Sequence, residues 1–336
     1  MNLVIPMAGR GTRLRPHTLI TPKPLVPIAG KPIVERLVND IASVLKEKID
    51  NIAFIIGDFG KEVESDLLTI AEQQGAKGHI VYQDKALGTA HAIHCAKEFL
   101  EGNVIVAFAD TLFRASFQLD ADSDGIIWVK QVDDPSAFGV VKMDDNNVIT
   151  DFVEKPKEFV SDLAIIGIYY FKQGELLREE LQKMIDQKIM SKGEYQLTVA
   201  LENLKSRGVR FVPGTVDDWL DCGNKKATVE TNKTYLGYLD EKELQGDGVT
   251  LEDSIVIPPV YLGDNVTLKR SVIGPHVSIG SNTTIQSSVI ENSIVGKESA
   301  ITNAVLSNSM IGRFVKLTAK GADLSVGDYN QIEGSI

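Results

Sequence analysis

The sequence predicts an α/β protein: a Rossmann-like mixed, mostly parallel sheet with helices on both faces, followed by a left-handed parallel β-helix. Up to about residue 240, short apolar runs alternate with amphipathic helical patterns, which is typical of a doubly wound sheet. Beyond residue 249, aliphatic residues recur every five or six positions, the spacing of the hexapeptide repeats that coil into a β-helix. We therefore expect one domain over residues 1–240 and a β-helical domain over 249–336.

The first domain alternates strand and helix patterns along most of its length. The predicted strands cover 3–7, 52–56, 80–82 and 104–109 and recur between 125 and 171, and the predicted helices cover 31–48, 61–73, 89–100, 175–188 and 194–207. The run at 104–109 is almost wholly apolar, as expected of a strand that is covered on both faces. In a sheet of this kind, ligands bind beyond the carboxyl ends of the strands.

The second domain is predicted from a single periodic feature. The aliphatic positions are Leu262, Leu268, Ile273, Ile279, Ile285, Ile290, Val295, Ile301, Leu306, Ile311 and Leu317. An α-helix repeats its faces every 3.6 residues and a strand every two, so neither explains this spacing. We expect three-sided rungs that stack and bury a shared aliphatic column.

Composition narrows the class of protein. The chain has 336 residues and a formal net charge of −11, which argues against DNA or RNA as the main partner. The two cysteines, Cys95 and Cys222, have neither disulfide-framework nor metal-ligand spacing, so we expect buried reduced thiols. We find no secretory signal pattern and no apolar run long enough for a bilayer, and we expect a cytoplasmic protein.

The stretch "MAGRGTRLRPHTLITPKPL" at 7–25 concentrates positive charge on an acidic chain. Gly9 and Gly11 allow backbone N–H groups to approach an anion, and Arg13 and Lys23 supply cationic side chains. The prolines on either side of Lys23 restrict the backbone and so aim its ammonium group. The stretch lacks the third glycine of the dinucleotide motif and the ending of the Walker motif. It predicts a site for a small anion.

The pattern G-x-G-T-R-L-x-P-x-T-x-x-x-P-K-P-L over residues 9–25 resembles the signature of the sugar-1-phosphate nucleotidyltransferases. The resemblance extends over about the first 235 residues, and a hexapeptide tail is found in the longer members. It implies attack by a sugar 1-phosphate oxygen on the α-phosphorus of a nucleoside triphosphate. In this scheme Ala8, the two glycines and Thr12 bind the nucleotide, Arg13 contacts the leaving pyrophosphate and Lys23 bridges the reacting phosphates.

The segment "YQDKALGTAHAI" at 82–93 resembles the nucleobase-binding segment of that family. The resemblance implies that Gln83 binds uracil or thymine, because an amide offers both a donor and an acceptor to a pyrimidine edge. Gly88 would lie against the base, and Thr89 would open the next helix as its N-cap beside the nucleotide. We interpret His91 and His94 on that helix as structural rather than as metal ligands.

Two aspartates are candidates for a metal site. Asp110 follows the apolar run 104–109, and a carboxylate at the tip of a buried strand can hold a hard cation. Asp221 in "DDWLDCGN" resembles the second ligand in the W-x-D-x-G motif of the family, whereas the Gly-Asp usual at the first ligand is here Ala-Asp. Together they imply Mg²⁺ as the cofactor.

The segment "FGVVKMDDNNVITDFVEKP" at 138–156 resembles the sugar-binding region. The resemblance implies that Gly139 leaves room for the sugar, Glu154 binds ring hydroxyls and Lys155 pairs with the sugar 1-phosphate during catalysis. Gly167 lies in "LAIIGIYYF", a run similar to one in glucose-1-phosphate thymidylyltransferases, and is assigned to the same site. "GEYQLTVAL" at 193–201 also resembles the thymidylyl and uridylyl branches.

Three functions remain open at this point. The first is transfer of the nucleotidyl group of dTTP or UTP to a sugar 1-phosphate with release of pyrophosphate, with glucose-1-phosphate thymidylyltransferase preferred. The second is a mannose- or heptose-1-phosphate guanylyltransferase, against which Gln83 weighs. The third is a non-catalytic regulatory subunit, which would be expected to lack the charged residues retained here. Some relatives use the tail as an acetyltransferase with a catalytic histidine, and His276 is the tail's one histidine. We prefer a packing or assembly role and expect a homo-oligomer.

Overall fold

The computed structural model describes residues 1–9, 11–45, 47–115 and 123–319. The chain forms two compact units, of which the first comprises Met1–Val26 and Pro32–Gly223. The second comprises Pro27–Lys31 and the chain from Asn224 onward. Among the described residues, no helix has both the length and the apolar character that crossing a bilayer requires. The cysteines of these ranges form no disulfide; Cys222 is buried and Cys95 half-buried.

The elements up to residue 236 alternate as the sequence predicts. The strands are β1 (Asn2–Pro6), β2 (Pro27–Ile28), β3 (Lys31–Pro32), β4 (Asn51–Ile56), β5 (Lys77–Tyr82), β6 (Val104–Ala107), β7 (Thr111–Arg114), β8 (Gly125–Gln131), β9 (Gly139–Met143), β10 (Ile149–Glu154), β11 (Leu163–Phe171), β12 (Phe211–Thr215) and β13 (Asp218–Asp221). The helices are α1 (Ile33–Val44), α2 (Lys61–Gln73), α3 (Thr89–Cys95), α4 (Gly174–Asp186), α5 (Leu197–Ser206) and α6 (Lys225–Leu236).

A mixed nine-stranded sheet forms the centre of the first unit. Its order β6-β1-β4-β5 is parallel throughout, with Val4 of β1 aligned to Ala53 on one side and to Val106 on the other. Strand β11 continues the sheet antiparallel to β6. Because parallel strands end at the same edge of a sheet, the loops after β1, β5 and β6 meet there.

Several local predictions differ from the structure. The helix predicted at 31–48 covers Ile33–Val44, and the strand predicted at 80–82 begins at Lys77. The strand predicted at 104–109 ends at Ala107, so Asp110 lies in a turn between β6 and β7 rather than at a strand tip. The helix predicted at 89–100 ends at Cys95 and is followed by a 3-10 turn over Lys97–Phe99. The helix predicted at 194–207 begins at Leu197. At 104–109 and 89–100 the apolar pattern continues past the point where the backbone changes, because burial does not require regular hydrogen bonding. At 194–207 the difference lies at the start, where Glu194, Tyr195 and Gln196 are not helical.

The second unit contains the β-helix. Its strands are β14 (Thr250–Glu252), β15 (Ile255–Val256), β16 (Val260–Leu262), β17 (Thr267–Lys269), β18 (Val272–Ile273), β19 (Val277–Ile279), β20 (Thr284–Gln286), β21 (Val289–Glu291), β22 (Ser293–Val295), β23 (Ala300–Thr302), β24 (Val305–Ser307), β25 (Met310–Ile311) and β26 (Lys316–Thr318). They pair in parallel into three sheets, so that each rung has three sides.

The aliphatic repeat accounts for the core of this unit. All eleven predicted aliphatic positions lie in strands. Those from Leu262 to Ile301 are buried in one hydrophobic cluster, and the last three pack against it while partly exposed. The β-helix prediction is therefore confirmed. Helix α6 and the hairpin at Pro27–Lys31 also group with this unit.

Candidate active site

A cleft of about 400 Å³ lies in the first unit at the carboxyl edge of the parallel strands. It is lined by residues that follow β1, β5 and β6, which are distant in sequence and adjacent at this edge. Ten predicted site residues line it: Ala8, Gly9, Gly11, Thr12, Arg13, Lys23, Gln83, Gly88, Thr89 and Asp110. The segments that the sequence analysis assigns to phosphate, nucleobase and metal binding thus each contribute residues to one cleft.

The loop that carries Gly9 and Gly11, called the glycine loop below, packs closely against Lys23. Gly11 has a φ of 61°, in the left-handed region, and a Cβ atom there would lie 2.7 Å from the Cβ of Lys23. The Thr18 hydroxyl donates a hydrogen bond to the Gly11 carbonyl oxygen at 2.7 Å and holds the loop closed. Only glycine permits both this conformation and this close approach.

Lys23 and Asp110 form an ion pair across the cleft. Lys23 Nζ lies 3.1 Å from Asp110 Oδ2, and the lysine side chain is 10% exposed while that of the aspartate is 48% exposed. The backbone carbonyl of Asp110 also accepts a hydrogen bond from Cys222 N at 3.1 Å. That bond brings the segment after β13 alongside the Asp110 turn, so the second predicted carboxylate lies nearby.

Asp221 is at the end of β13, which pairs antiparallel with β7 and aligns Asp221 with Thr111. Its Oδ1 accepts a hydrogen bond from Gly223 N at 2.8 Å. Burial raises the pKa of Asp221 and the nearby Asp110 adds to the rise, whereas the hydrogen bond and Lys23 act in the opposite direction. The two carboxylates are therefore close enough to influence one another.

The donor set at this point fits a divalent cation such as Mg²⁺. Asp110 and Asp221 offer carboxylate oxygens, which are the ligands that this hard ion prefers. In the ranges that the structure describes, no group of three or more His, Cys, Asp or Glu side chains could hold a metal. The protein would thus supply two ligands, and Mg²⁺ commonly completes its shell with water and substrate phosphate oxygens.

The nucleobase segment forms another part of the cleft wall. Gln83 Nε2 lies 3.3 Å from the carbonyl oxygen of Gly88 and 3.1 Å from His91 Nδ1. Gly88 has a φ of 112°, and a Cβ atom there would lie 2.5 Å from the Tyr195 carbonyl oxygen. A side chain at position 88 would therefore collide with the backbone of Tyr195, the last residue of the "GEY" segment.

The prediction that Thr89 is an N-cap is wrong. Helix α3 begins at Thr89 itself, and Gly88 occupies the N-cap position without a side-chain bond. The Thr89 hydroxyl instead accepts a hydrogen bond from Leu197 N at 3.0 Å, at the start of α5. Thr89 both lines the cleft and ties α3 to α5.

Four predicted sugar-site residues, Gly139, Glu154, Lys155 and Gly167, are not among the residues that line this cleft. Gly139 and Glu154 are paired across β9 and β10, and a Cβ atom on Gly139 would lie 3.2 Å from Glu154 Oε2. Lys155 Nζ lies 3.7 Å from Glu154 Oε1. The structure thus groups Gly139, Glu154 and Lys155.

Two aromatic residues, Phe108 and Tyr169, interact with predicted sugar-site residues. The Gly167 carbonyl accepts a hydrogen bond from Phe108 N at 2.9 Å, and Phe108 lines the cleft. Burial raises the pKa of Tyr169, and both Glu154 and Asp110 add to the rise. A single buried tyrosine therefore lies within electrostatic reach of the predicted sugar and metal residues.

Several residues of this region were not predicted from the sequence. Glu194 and Gly223 line the cleft. Thr198 is 7% exposed, and its hydroxyl has no hydrogen-bond partner in the described part of the chain. Its Cγ2 would lie 3.4 Å from a Cβ atom on Gly139. The resemblance of "GEYQLTVAL" to the thymidylyl and uridylyl branches was the signal that could have identified Glu194 and Thr198.

Comparisons with known proteins identify the family of the chain. The family model described as "Nucleotidyl transferase" matches residues 3–237. The chain is 31% identical over 271 residues to the bifunctional protein GlmU of Methanococcus maripaludis, covering 77% of this chain and 62% of that protein. It is 31% identical over 271 residues to the glucose-1-phosphate thymidylyltransferase of Streptomyces antibioticus, covering 76% of this chain and 71% of that protein. The chain thus spans less than two thirds of the length of GlmU.

A solved structure shows the same fold. UDP-glucose pyrophosphorylase complexed with UDP-glucose superposes with a TM-score of 0.57 at 22% identity, covering 71% of this chain and 99% of that one. The fold of the first unit is that of this structure. The chain belongs to the Nucleotidyl transferase family, among the sugar-1-phosphate nucleotidyltransferases, and the resemblance seen in the sequence is confirmed.

Proposed function

We propose that the chain joins a sugar 1-phosphate to a pyrimidine nucleoside triphosphate and releases pyrophosphate. Glucose-1-phosphate thymidylyltransferase activity is the preferred form, and uridylyl transfer from UTP is the alternative. The observation that carries the proposal is the convergence of Arg13, Lys23 and Asp110 with Gln83 in one cleft. The relative in Streptomyces antibioticus, a glucose-1-phosphate thymidylyltransferase, supports the preferred form.

The nucleophile in this reaction needs no general base. A phosphate monoester has a second pKa near 6, so the sugar 1-phosphate is already largely a dianion at neutral pH. The barrier lies in bringing two anions together and in stabilising the charge that spreads over the phosphoryl oxygens. Positioning and fixed cationic groups supply most of the catalysis in such transfers.

Each part of the cleft has a proposed role. The backbone at Gly9 and Gly11 binds the triphosphate, Arg13 binds the pyrophosphate that leaves, and Lys23 bridges the phosphates that react. Lys23 must exchange its bond to Asp110 for bonds to phosphate oxygens when the nucleotide enters. Asp110 and Asp221 would hold Mg²⁺, which neutralises phosphate charge when it is bound.

The sugar 1-phosphate would lie beside Gly139, Glu154 and Lys155, at the paired ends of β9 and β10. Lys155 provides the charge for its phosphate, and Glu154 accepts hydrogen bonds from ring hydroxyls. The Thr198 hydroxyl is buried and has no hydrogen-bond partner among the described residues, so it is available for a further sugar hydroxyl. Gly139 and Gly167 leave room for the ring. We propose further that residues 1–240 carry this chemistry and that 249–336 serve packing or assembly in a homo-oligomer.

A pyrophosphate-release assay over five nucleotides and several sugar 1-phosphates tests the proposal. The nucleotides are dTTP, UTP, CTP, GTP and ATP, and the sugars include glucose, N-acetylglucosamine and mannose 1-phosphates. We expect release that requires both substrates and Mg²⁺ and is fastest with dTTP or UTP. Release from no pair, or a preference for GTP with mannose 1-phosphate, would overturn the proposal.

A further inference from the structure

We propose that His91 is a positioning residue for nucleobase selection, which fixes the Gln83 amide so that its carbonyl oxygen is the group offered to the base. The inference rests on the proposed function and deepens it, because it assigns the class of base that the cleft accepts. His91 itself is not among the residues that line the cleft, whereas Gln83 and Gly88 are. His91 would therefore act on the base through Gln83 and not by direct contact.

The orientation of the amide follows from the atoms around it. The carbonyl oxygen of Gly88 can only accept, so the Gln83 atom that faces it at 3.3 Å is the amide nitrogen. That same nitrogen lies 3.1 Å from His91 Nδ1. Its two hydrogens are thus shared between two protein acceptors, and a flipped amide would set two carbonyl oxygens against each other.

The His91 ring is held in the matching protonation state. Cys95 Sγ, a weak donor, also lies 3.9 Å from Nδ1, so both neighbours of this nitrogen can donate to it. Burial lowers the pKa of His91, which keeps the ring neutral with the proton on Nε2. The ring also stacks on Tyr195 with centroids 6.4 Å apart. His91 is therefore a fixed acceptor.

The orientation of the Gln83 amide selects among nucleobases by the hydrogen-bonding group that each presents. The Gln83 carbonyl oxygen has no hydrogen-bond partner within the described part of the chain, so it is the polar atom of this amide left for a ligand. Uracil and thymine present N3–H, a donor, to such an oxygen. Cytosine N3 and adenine N1 are acceptors and would be repelled. Guanine N1–H would also be accepted, so the amide separates uracil and thymine from cytosine. Contrary to the expectation from the sequence, the Gln83 amide by itself does not weigh against guanine, because its nitrogen is bonded to the protein and only its oxygen is offered.

The test compares kcat/KM for UTP and CTP, or dTTP and dCTP, with one sugar 1-phosphate at saturation. His91→Phe keeps a ring beside Tyr195 but removes the acceptor, and the UTP:CTP ratio should fall about tenfold, mainly through KM for UTP. His91→Asn keeps an acceptor near the position of Nδ1 and should retain the ratio within about twofold. His94→Phe is the matched control, because His94 Nε2 bonds Gln182 Oε1 at 2.9 Å instead.

A double-mutant cycle with Gln83→Met separates positioning from general packing. If His91 acts through Gln83, His91→Phe should cause no further loss of discrimination in the Gln83→Met background. An unchanged ratio in folded His91→Phe, or an equal fall in His91→Asn, would overturn the inference. Where thermal melting shows that His91→Phe does not fold, His91→Leu takes its place. Failure of the proposed function is distinct, since the wild-type protein would then release no pyrophosphate.

Discussion

The ammonium group of Lys23 lies 3.1 Å from Oδ2 of Asp110, although the two residues are 87 positions apart. The first follows β1 and the second follows β6, so the pairing is a product of the parallel sheet. Lys23 is 8% exposed, and Asp110 offsets the cost of burying its charge. A triphosphate can take over that role, which makes this pair the centre of the proposed chemistry.

Replacing Lys23 with alanine should lower kcat by about 10²–10³-fold and change KM for the nucleotide much less. The reason is that Lys23 is assigned to charge that develops during transfer rather than to ground-state binding. Steady-state pyrophosphate release at saturating and limiting nucleotide measures both constants. Lys97→Ala, at an exposed lysine, is the control. Near-normal turnover of Lys23→Ala would remove Lys23 from its role.

Asp221→Asn should abolish most of the activity without unfolding the protein. We expect turnover to fall at least about 100-fold, because one of two metal ligands loses its charge. Asn keeps an oxygen that accepts the hydrogen bond from Gly223 N. Asp217→Asn is the matched control in the neighbouring exposed loop. Equal activity of the two variants would argue against the metal site.

Asp221→Asn should also change how the stability of the protein depends on pH. Burial raises the pKa of Asp221 above its ordinary value of 3.8, so the ionised carboxylate destabilises the folded state at neutral pH. That penalty is absent well below pH 3.8 and grows as the pH rises through this value. Metal-free Asp221→Asn should therefore melt above the wild-type protein at pH 7, and the difference should shrink in acid. A lower melting temperature at pH 7 would contradict this account.

Gly11 and Gly9, in the same loop, should differ in how much stability is lost on substitution with alanine. Gly11→Ala adds a Cβ atom 2.7 Å from Lys23 Cβ in a left-handed conformation, and should destabilise the first unit by about 1–3 kcal/mol. Gly9→Ala meets nothing within 4 Å and should change the stability of the nucleotide-free protein by less than about 1 kcal/mol. Urea unfolding can be followed by tryptophan fluorescence, since Trp128 and Trp219 both lie in this unit. Similar losses in both variants would show that the loop is shaped by something other than Lys23.

Adjacent residues of β21 test the core of the β-helix. Ile290 is fully buried, so Ile290→Ala should cost about 2–5 kcal/mol in the free energy of unfolding. Val289 on the same strand is 44% exposed, and Val289→Ala should cost well below that range. Urea unfolding monitored by far-UV circular dichroism measures both. If the two variants were equally stable, the aliphatic column would not be the source of β-helix stability.

The sequence predicts the β-helix more completely than any other part of the chain. Each aliphatic position of the repeat maps onto a strand, because the period of burial is itself the structure of a stacked rung. The unusual backbone of the loop at Gly9 and Gly11 was also predicted, since glycine, proline and charge are local signals of such a backbone. Such signals lie within a few residues of the feature that they indicate. The segment at 82–93 was assigned to the nucleobase from its resemblance to the family, and that role stays a prediction.

The parts that the sequence does not predict depend on distant contacts. The Thr89 hydroxyl bonds Leu197 N, 108 positions away, and no local pattern distinguishes that bond from an N-cap. Thr198 comes beside Gly139 only because α5 packs on β10. The link between His91 and Gln83 joins a helix to the loop before it, and it requires the backbone turn at Gly88.

In the proposed reaction the triphosphate binds in the cleft between the glycine loop and Lys23. The most direct measurement is a crystal structure of the protein with dTTP and Mg²⁺, without a sugar phosphate. We expect phosphate oxygens within about 3.2 Å of Arg13 and Lys23, and the base beside Gln83. A triphosphate bound elsewhere, or Arg13 and Lys23 turned out into solvent, would contradict the account.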